Sequence, residues 1–252
     1  MKTIQAKIDR AKKHLEELKL AVKGFLATNP YKVAATHDEK GRPAYFLGDV
    51  TDTPIEIAQI TGDVIQNLRS ALDHLAFQFF PSGKEGTPAD SKIYFPVKEG
   101  EKEYLDWRKK NERWLTPETT NAIDSIKPYQ KGNDSLWQLH KLNVIDKHRM
   151  LIMVGSSYGG FDAGADIAHR FKNSFGKNFP KISFFLAPAD TQFPLEKGNL
   201  LYTGGVGEEI NPHLGFRFDV AIGEKDVIDG VPIIDALLRM TTAVEEAAVR
   251  LS

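Results

Sequence analysis

Two stretches of the chain concentrate side chains that could do chemistry. The first is GDVIQNLRSALDHLAF, residues 62–77, and the second is DSLWQLHKLNVIDKHRM, residues 134–150. At about 100° per residue on a helix, Asp63, Asn67, Ser70 and His74 fall on one stripe of the first stretch. That stripe runs beside the apolar positions Val64, Leu68, Ala71 and Leu75. By the same spacing His140, Asn143 and Lys147 share a stripe of the second, flanked by Trp137 and Val144. Imidazole moves protons near neutral pH, guanidinium and ammonium groups hold anions, and amides orient ligands by hydrogen bonding. Arg69 and Asp73 stand four apart on a neighbouring face. Lys141, Asp146, His148 and Arg149 crowd the end of the second stretch, where cations complement the helix dipole. If the two helices are neighbours, their polar stripes meet at the edge of a core.

The elements that must position these groups follow from apolar periodicity. Ile4, Ile8, Ala11, Leu15, Leu18, Val22 and Phe25 alternate steps of four and three, which predicts a long helix over 3–28 stopped by Asn29–Pro30. The spacing is heptad-like and suits a bundle or a homodimer seam. Tyr31–Thr36 and Ala44–Val50 flank HDEKGRP and read as a hairpin. A second long helix starts near Thr53–Pro54 and reaches about Phe80, with Val64, Leu68, Ala71, Leu75 and Phe79 as its stripe. Residues 81–100 read as a loop containing a short β-like segment, Ile93–Val97. Helices follow near 101–113 and 117–126, the latter capped by Thr116 before Pro117. Asp134 is placed to cap a helix running to about Arg149. Leu151–Val154, Ile182–Leu186, Leu200–Thr203 and Leu214–Val220 are β-leaning and suggest an antiparallel meander. An amphipathic helix over about 231–250, carrying Ile234, Leu237, Leu238, Met240, Val244 and Val249, closes the chain. The sum is an α+β fold. It reads as one domain, helical over 1–149 and 226–252, with a β-rich excursion over 150–225.

Composition narrows the chemistry. The 252 residues contain no cysteine, which excludes disulfides, thiolate metal ligands and cysteine nucleophiles. Lys and Arg number 33 against 34 acids, so no global charge draws the chain to nucleic acid or to a membrane surface. The N-terminus is charged throughout and the apolar runs are short, which predicts no membrane partner and a cytoplasmic protein. His74, His140, His148 and Asp63 are a conceivable metal set. However, no Glu-x-x-His or His-x-x-x-His pair occurs, and neither a metal nor a cofactor is expected.

Two resemblances bear on function. NLRSALDHLAF together with KPYQ and LWQLHKLNVIDKHRMLI resembles a widespread bacterial family of uncharacterised proteins, over most of the chain. That resemblance implies a shared fold and no activity. Arg69-x4-His74 is similar to the motif of HEPN-type helical domains, many of which are metal-independent ribonucleases. This resemblance implies RNA or a nucleotide as partner. Arg69 would hold the scissile phosphate and His74 would move the proton of the attacking hydroxyl or leaving oxygen. Asn67, Ser70, His140, Asn143, Lys147 and His148 would be supporting or binding groups. Ser70 departs from that family, which prefers an amide, an acid or a histidine there. On an ideal helix the five-residue step also sets Arg69 and His74 about 140° apart. The alternative is a non-catalytic structural or small-anion-binding protein. In that case Arg69–Asp73 is an intrahelical bridge, and the polar stripes are hydrogen-bonded packing networks between helices.

Overall fold

The computed structural model describes residues 2–80, 92–157, 160–164, 167, 185–186, 193–228 and 230–251. It is an α+β structure with long helices and small antiparallel sheets. The chain forms two compact units: one from the described residues of Met1–Leu20, Glu56–Leu151 and Ile234–Ser252, the other from those of Ala21–Ile55 and Ile152–Ile233.

The first unit is helical. Helix α1 (Lys2–Ala27), which belongs to this unit as far as Leu20, buries every position of its predicted stripe, from Ile4 at 2% exposure to Phe25 at 7%. Helix α2 (Ile55–Ala76) continues as a 3-10 turn over Phe77–Phe79. Its stripe Val64, Leu68, Ala71, Leu75 and Phe79 is buried, and the buried face widens to Ile65, Arg69 and Leu72. Of the expected loop, residues 81–91 lie outside the described residues. Ile93–Val97 is largely buried, but it forms no strand. The backbone of Phe95 bonds instead to side chains of α2, which take the place of a neighbouring strand.

Helix α3 (Glu101–Asn111) leads to α4 (Pro117–Ile126). The Thr116 side chain accepts from the Thr119 amide at 3.2 Å, the predicted cap, and Lys127 ends the helix in the left-handed conformation with Pro128 behind it. Helix α5 (Asp134–His148) is capped one residue earlier than expected. The Asn133 side chain accepts from the Leu136 amide, while Asp134 turns back to accept from the Lys131 amide.

Helix α6 (Ile233–Arg250) buries Ile233, Ala236, Leu237, Met240, Val244 and Ala247. Leu238 and Val249, assigned to its apolar stripe from sequence, are exposed at 42% and 77%. Small residues, Ala236 and Ala247, take the inward positions that large residues were expected to hold. Lys12 of α1 is ion-paired with Glu245 of α6.

The second unit holds the sheets. Strand β1 (Tyr31–His37) pairs antiparallel with β2 (Pro43–Val50), in the register Tyr31↔Val50 to His37↔Pro43. Asp38 closes the turn: its carboxylate accepts from the Lys40 and Arg42 amides and pairs with the Arg42 guanidinium at 2.7 Å. Strands β3 (Met153–Ser156), β4 (Phe161–Asp162), β5 (Phe185–Leu186), β6 (Leu200–Thr203) and β7 (Asp219–Ile222) follow. All pair antiparallel, though not as a sequential meander. β6 joins the free edge of β2, β3 pairs with β7, and β4 pairs with β5. The expected strands Ile182–Leu186 and Leu214–Val220 are realised only in part. Residues 182–184 lie outside the described residues. Phe216 makes a single bridge to Phe161 before the ladder of β7 begins. Gly155 lies against Tyr31, where an added Cβ would come within 2.7 Å of the ring.

Candidate functional site

Helices α2 and α5 run antiparallel and side by side. An added Cβ at Gly62 would lie 2.8 Å from both carboxylate oxygens of Asp146. One turn on, Asn143 donates from Nδ2 to Oε1 of Gln66 at 2.8 Å. A turn further, the Arg69 charge is felt at His140. As positions rise along α2 they fall along α5, so the polar faces of the two helices meet.

The meeting face is Gly62, Gln66, Arg69 and Asp73, not the stripe Asp63, Asn67, Ser70 and His74 singled out from sequence. Asn67 and Ser70 are half-buried, and Asn67 donates to the carbonyl of Asp63 in its own helix at 2.8 Å. His74 is exposed, as are Lys147 and His148 on the last turn of α5. Asn143 is 2% exposed and tied to Gln66. Arg69 is 5% exposed and turned to Asp73 and Phe95, whereas His74 is exposed.

Arg69 is the most unusual residue of this face. Its Nη2 donates to Oδ1 of Asp73 at 2.8 Å and to the Phe95 carbonyl at 3.0 Å, and the Phe95 amide donates to the same Asp73 oxygen at 3.0 Å. Nη1 is buried and has no hydrogen-bond partner among the described residues. Burial pulls the Arg69 guanidinium below its ordinary range, and Asp73 opposes that pull.

Three further groups complete the surroundings. His140 is half-buried, and its Nδ1 is likewise buried without a hydrogen-bond partner among the described residues. Burial first, and the Arg69 charge second, push its pKa down to about 4, so the imidazole is neutral at pH 7. Lys98 is half-buried and is pulled below the usual lysine range by burial and then by Arg69. Glu99 accepts from Lys141 at 3.0 Å and from the indole N–H of Trp137 at 3.2 Å. The Lys141 hydrogen bond leads in holding its carboxyl below the usual range. Segment 95–99 is thus fastened to α2 at Phe95 and to α5 at Glu99, with Lys98 between the fastenings.

Two open grooves lie elsewhere on this unit. One, of about 570 Å³, is lined by Gln59, Gly62, Asp63, Gln66, Asp146 and Met150. Burial and then the charge of Asp63 raise the Asp146 carboxyl. The other, of about 400 Å³, lies between α3 and α4 and is lined by Leu105, Arg108, Lys109, Leu115 and Thr120 among others. Neither includes Arg69 or His140. Among the described residues no three His, Asp or Glu side chains are placed to hold a metal ion, and no helix is long and apolar enough to cross a membrane.

Gln66, Lys98 and Glu99 are not marked in the sequence, and the Arg69–Asp73 pair, legible there as an intrahelical bridge, is buried in the fold. A signal for Arg69 was present. The residues four before it and three after it are Ile65 and Leu72, which places it on the apolar face. Lys98 and Glu99 lie outside any helix or strand, where no periodicity marks them. Comparison with family models, with curated proteins and with solved structures finds no match for the chain.

Proposed function

We propose that this chain is a small-anion-binding protein, with Arg69, Lys98 and His140 as its site, and that the Gln66–Asn143 contact is interhelical packing. The observation that carries this reading is the partnerless Nη1 of buried Arg69. A buried donor without an acceptor costs about 1–3 kcal/mol, more when it is charged. Folded proteins rarely leave one unless something supplies the acceptor. His140 Nδ1 adds a second unfilled position nearby, and Lys98 adds a positive charge. An oxyanion satisfies all three.

The ribonuclease reading is supported less well. Arg69 is committed to Asp73 and Phe95, and His74 stands exposed away from it. RNA cleavage in EDTA by the wild type and His74→Ala separates the two readings: cleavage lost in the variant would restore the ribonuclease.

Binding is tested by chemical denaturation with and without phosphate, sulfate or acetate at constant ionic strength. Ligand at ten times its dissociation constant stabilises the native state by about 1.4 kcal/mol. The gain is expected in the wild type and absent in Lys98→Gln. The same substitution should raise the stability of the ligand-free protein, because Lys98 is held half-buried against the like charge of Arg69. A ligand gain unchanged in Lys98→Gln would count against the site.

A further inference from the structure

Charge and depth together narrow the ligand, provided the anion-site reading above holds. The charges around the site are largely paired. Arg69 is matched by Asp73 at 2.8 Å, and Lys141 is matched by Glu99 at 3.0 Å. Lys98 lies between these pairs, and no carboxylate among the described residues offsets it. His140 is neutral at pH 7. The surplus is therefore one positive charge. A monoanion cancels it, whereas a dianion such as sulfate or a phosphate monoester leaves a negative charge in a poorly solvated place.

Depth supplies the second constraint. The unfilled nitrogens, Arg69 Nη1 and His140 Nδ1, are both closed off from solvent. Beside them Lys98 retains partial exposure, and Tyr94, 57% exposed, directly precedes Phe95, whose carbonyl accepts from Arg69. A ligand that reaches the two nitrogens enters end-on, with one substituent trailing outward. A phosphodiester carries a substituent on each side and cannot enter end-on.

We infer that the site takes a terminal carboxylate, one oxygen accepting from Arg69 Nη1 and the other from the N–H of His140 Nδ1, with Lys98 supplying the balancing charge. The two oxygens of a carboxylate match the two unfilled nitrogens, and its single negative charge matches the single surplus positive charge. The Nδ1–H tautomer of His140 is then the bound form.

The test is a titration of the full chain followed through the imidazole nitrogens in long-range ¹H–¹⁵N spectra, with His140 assigned by its absence in His140→Asn. The probes are acetate, N-acetylglycine, sulfate, methyl phosphate and dimethyl phosphate, at constant ionic strength and pH 7.5. Acetate and N-acetylglycine should move the His140 resonances along a saturable curve. They should bind about tenfold or more tightly relative to the other three, the factor that ~1.4 kcal/mol produces. Their ratio distinguishes a free acid from a carboxylate on a peptide-like tail. Lys98→Gln should lose the response and Lys98→Arg should keep it. Sulfate or either phosphate binding as well as acetate overturns the carboxylate assignment and leaves the anion site standing. A response retained in Lys98→Gln also overturns it. If no anion moves His140, the anion-site reading fails, and this inference with it.

Discussion

Arg69 shows how one residue can read two ways. On sequence it is either a phosphate-holding group or half of an intrahelical i,i+4 bridge, of the kind that contributes a few tenths of a kcal/mol. In the fold its side chain is 6% exposed, and Asp73 neutralises it while also holding the Phe95 amide. Removing one partner of a buried pair strands the other charge, at a cost of about 3–5 kcal/mol. Asp73 retains 22% side-chain exposure, so Asp73→Ala should fall near the lower end, ~3 kcal/mol, in urea denaturation. His74→Ala, one position along, should stay within about 0.5 kcal/mol. Equal effects of the two would contradict the placement of Arg69. His140 gives the pH dependence. Its folded pKa, about 4, lies below the unfolded value of 6.5, so the unfolded chain binds its proton first as pH falls. The stability it confers is complete above pH 6.5, is lost progressively as pH falls through the folded value near 4, and should flatten across that window in His140→Gln.

At the scale of elements, the contact between α2 and α5 depends on a glycine. Gly62 costs α2 about 1 kcal/mol of helix propensity relative to alanine, yet a Cβ there would sit 2.8 Å from the Asp146 carboxylate. The effect of Gly62→Ala should therefore change sign with its neighbour. In the wild type the substitution destabilises by displacing Asp146. In Asp146→Ala it stabilises, by up to about 1 kcal/mol. A double-mutant cycle that shows additivity would mean the helices do not touch there. Most elements were legible for a plain reason: α1 and α2 have apolar stripes long enough to fix both period and face, and Thr116–Pro117 marks its own helix start. The two polar helices were legible by location, but the face of α2 that meets α5 was not. Asp63/Asn67/Ser70/His74 and Gly62/Gln66/Arg69/Asp73 have the same four-three-four spacing one residue apart, and polarity favours the first. Only the apolar neighbours Ile65 and Leu72 point to the second. Phe95, Lys98 and Glu99 reach the site through tertiary contacts, for which a single sequence carries no local signal.

At the scale of the whole molecule, the heptad-like stripe of α1 is consumed within the chain, with Leu18 fully buried. It is not a free seam for a second copy. Leu18→Ala should therefore cost about 2–5 kcal/mol in denaturation and leave the solution mass unchanged in light scattering. A fall in mass would instead place that seam between copies. Charge is nearly balanced across the chain, at 33 cations and 34 acids, so the anion recognition proposed above would rest on a local surplus of charge such as that at Lys98. A crystal structure grown with acetate and without competing anions tests that central claim most directly. A carboxylate is expected within hydrogen-bond distance of Arg69 Nη1 and His140 Nδ1, beside Lys98. Those two nitrogens satisfied by other protein groups, or by a lone water, would contradict it.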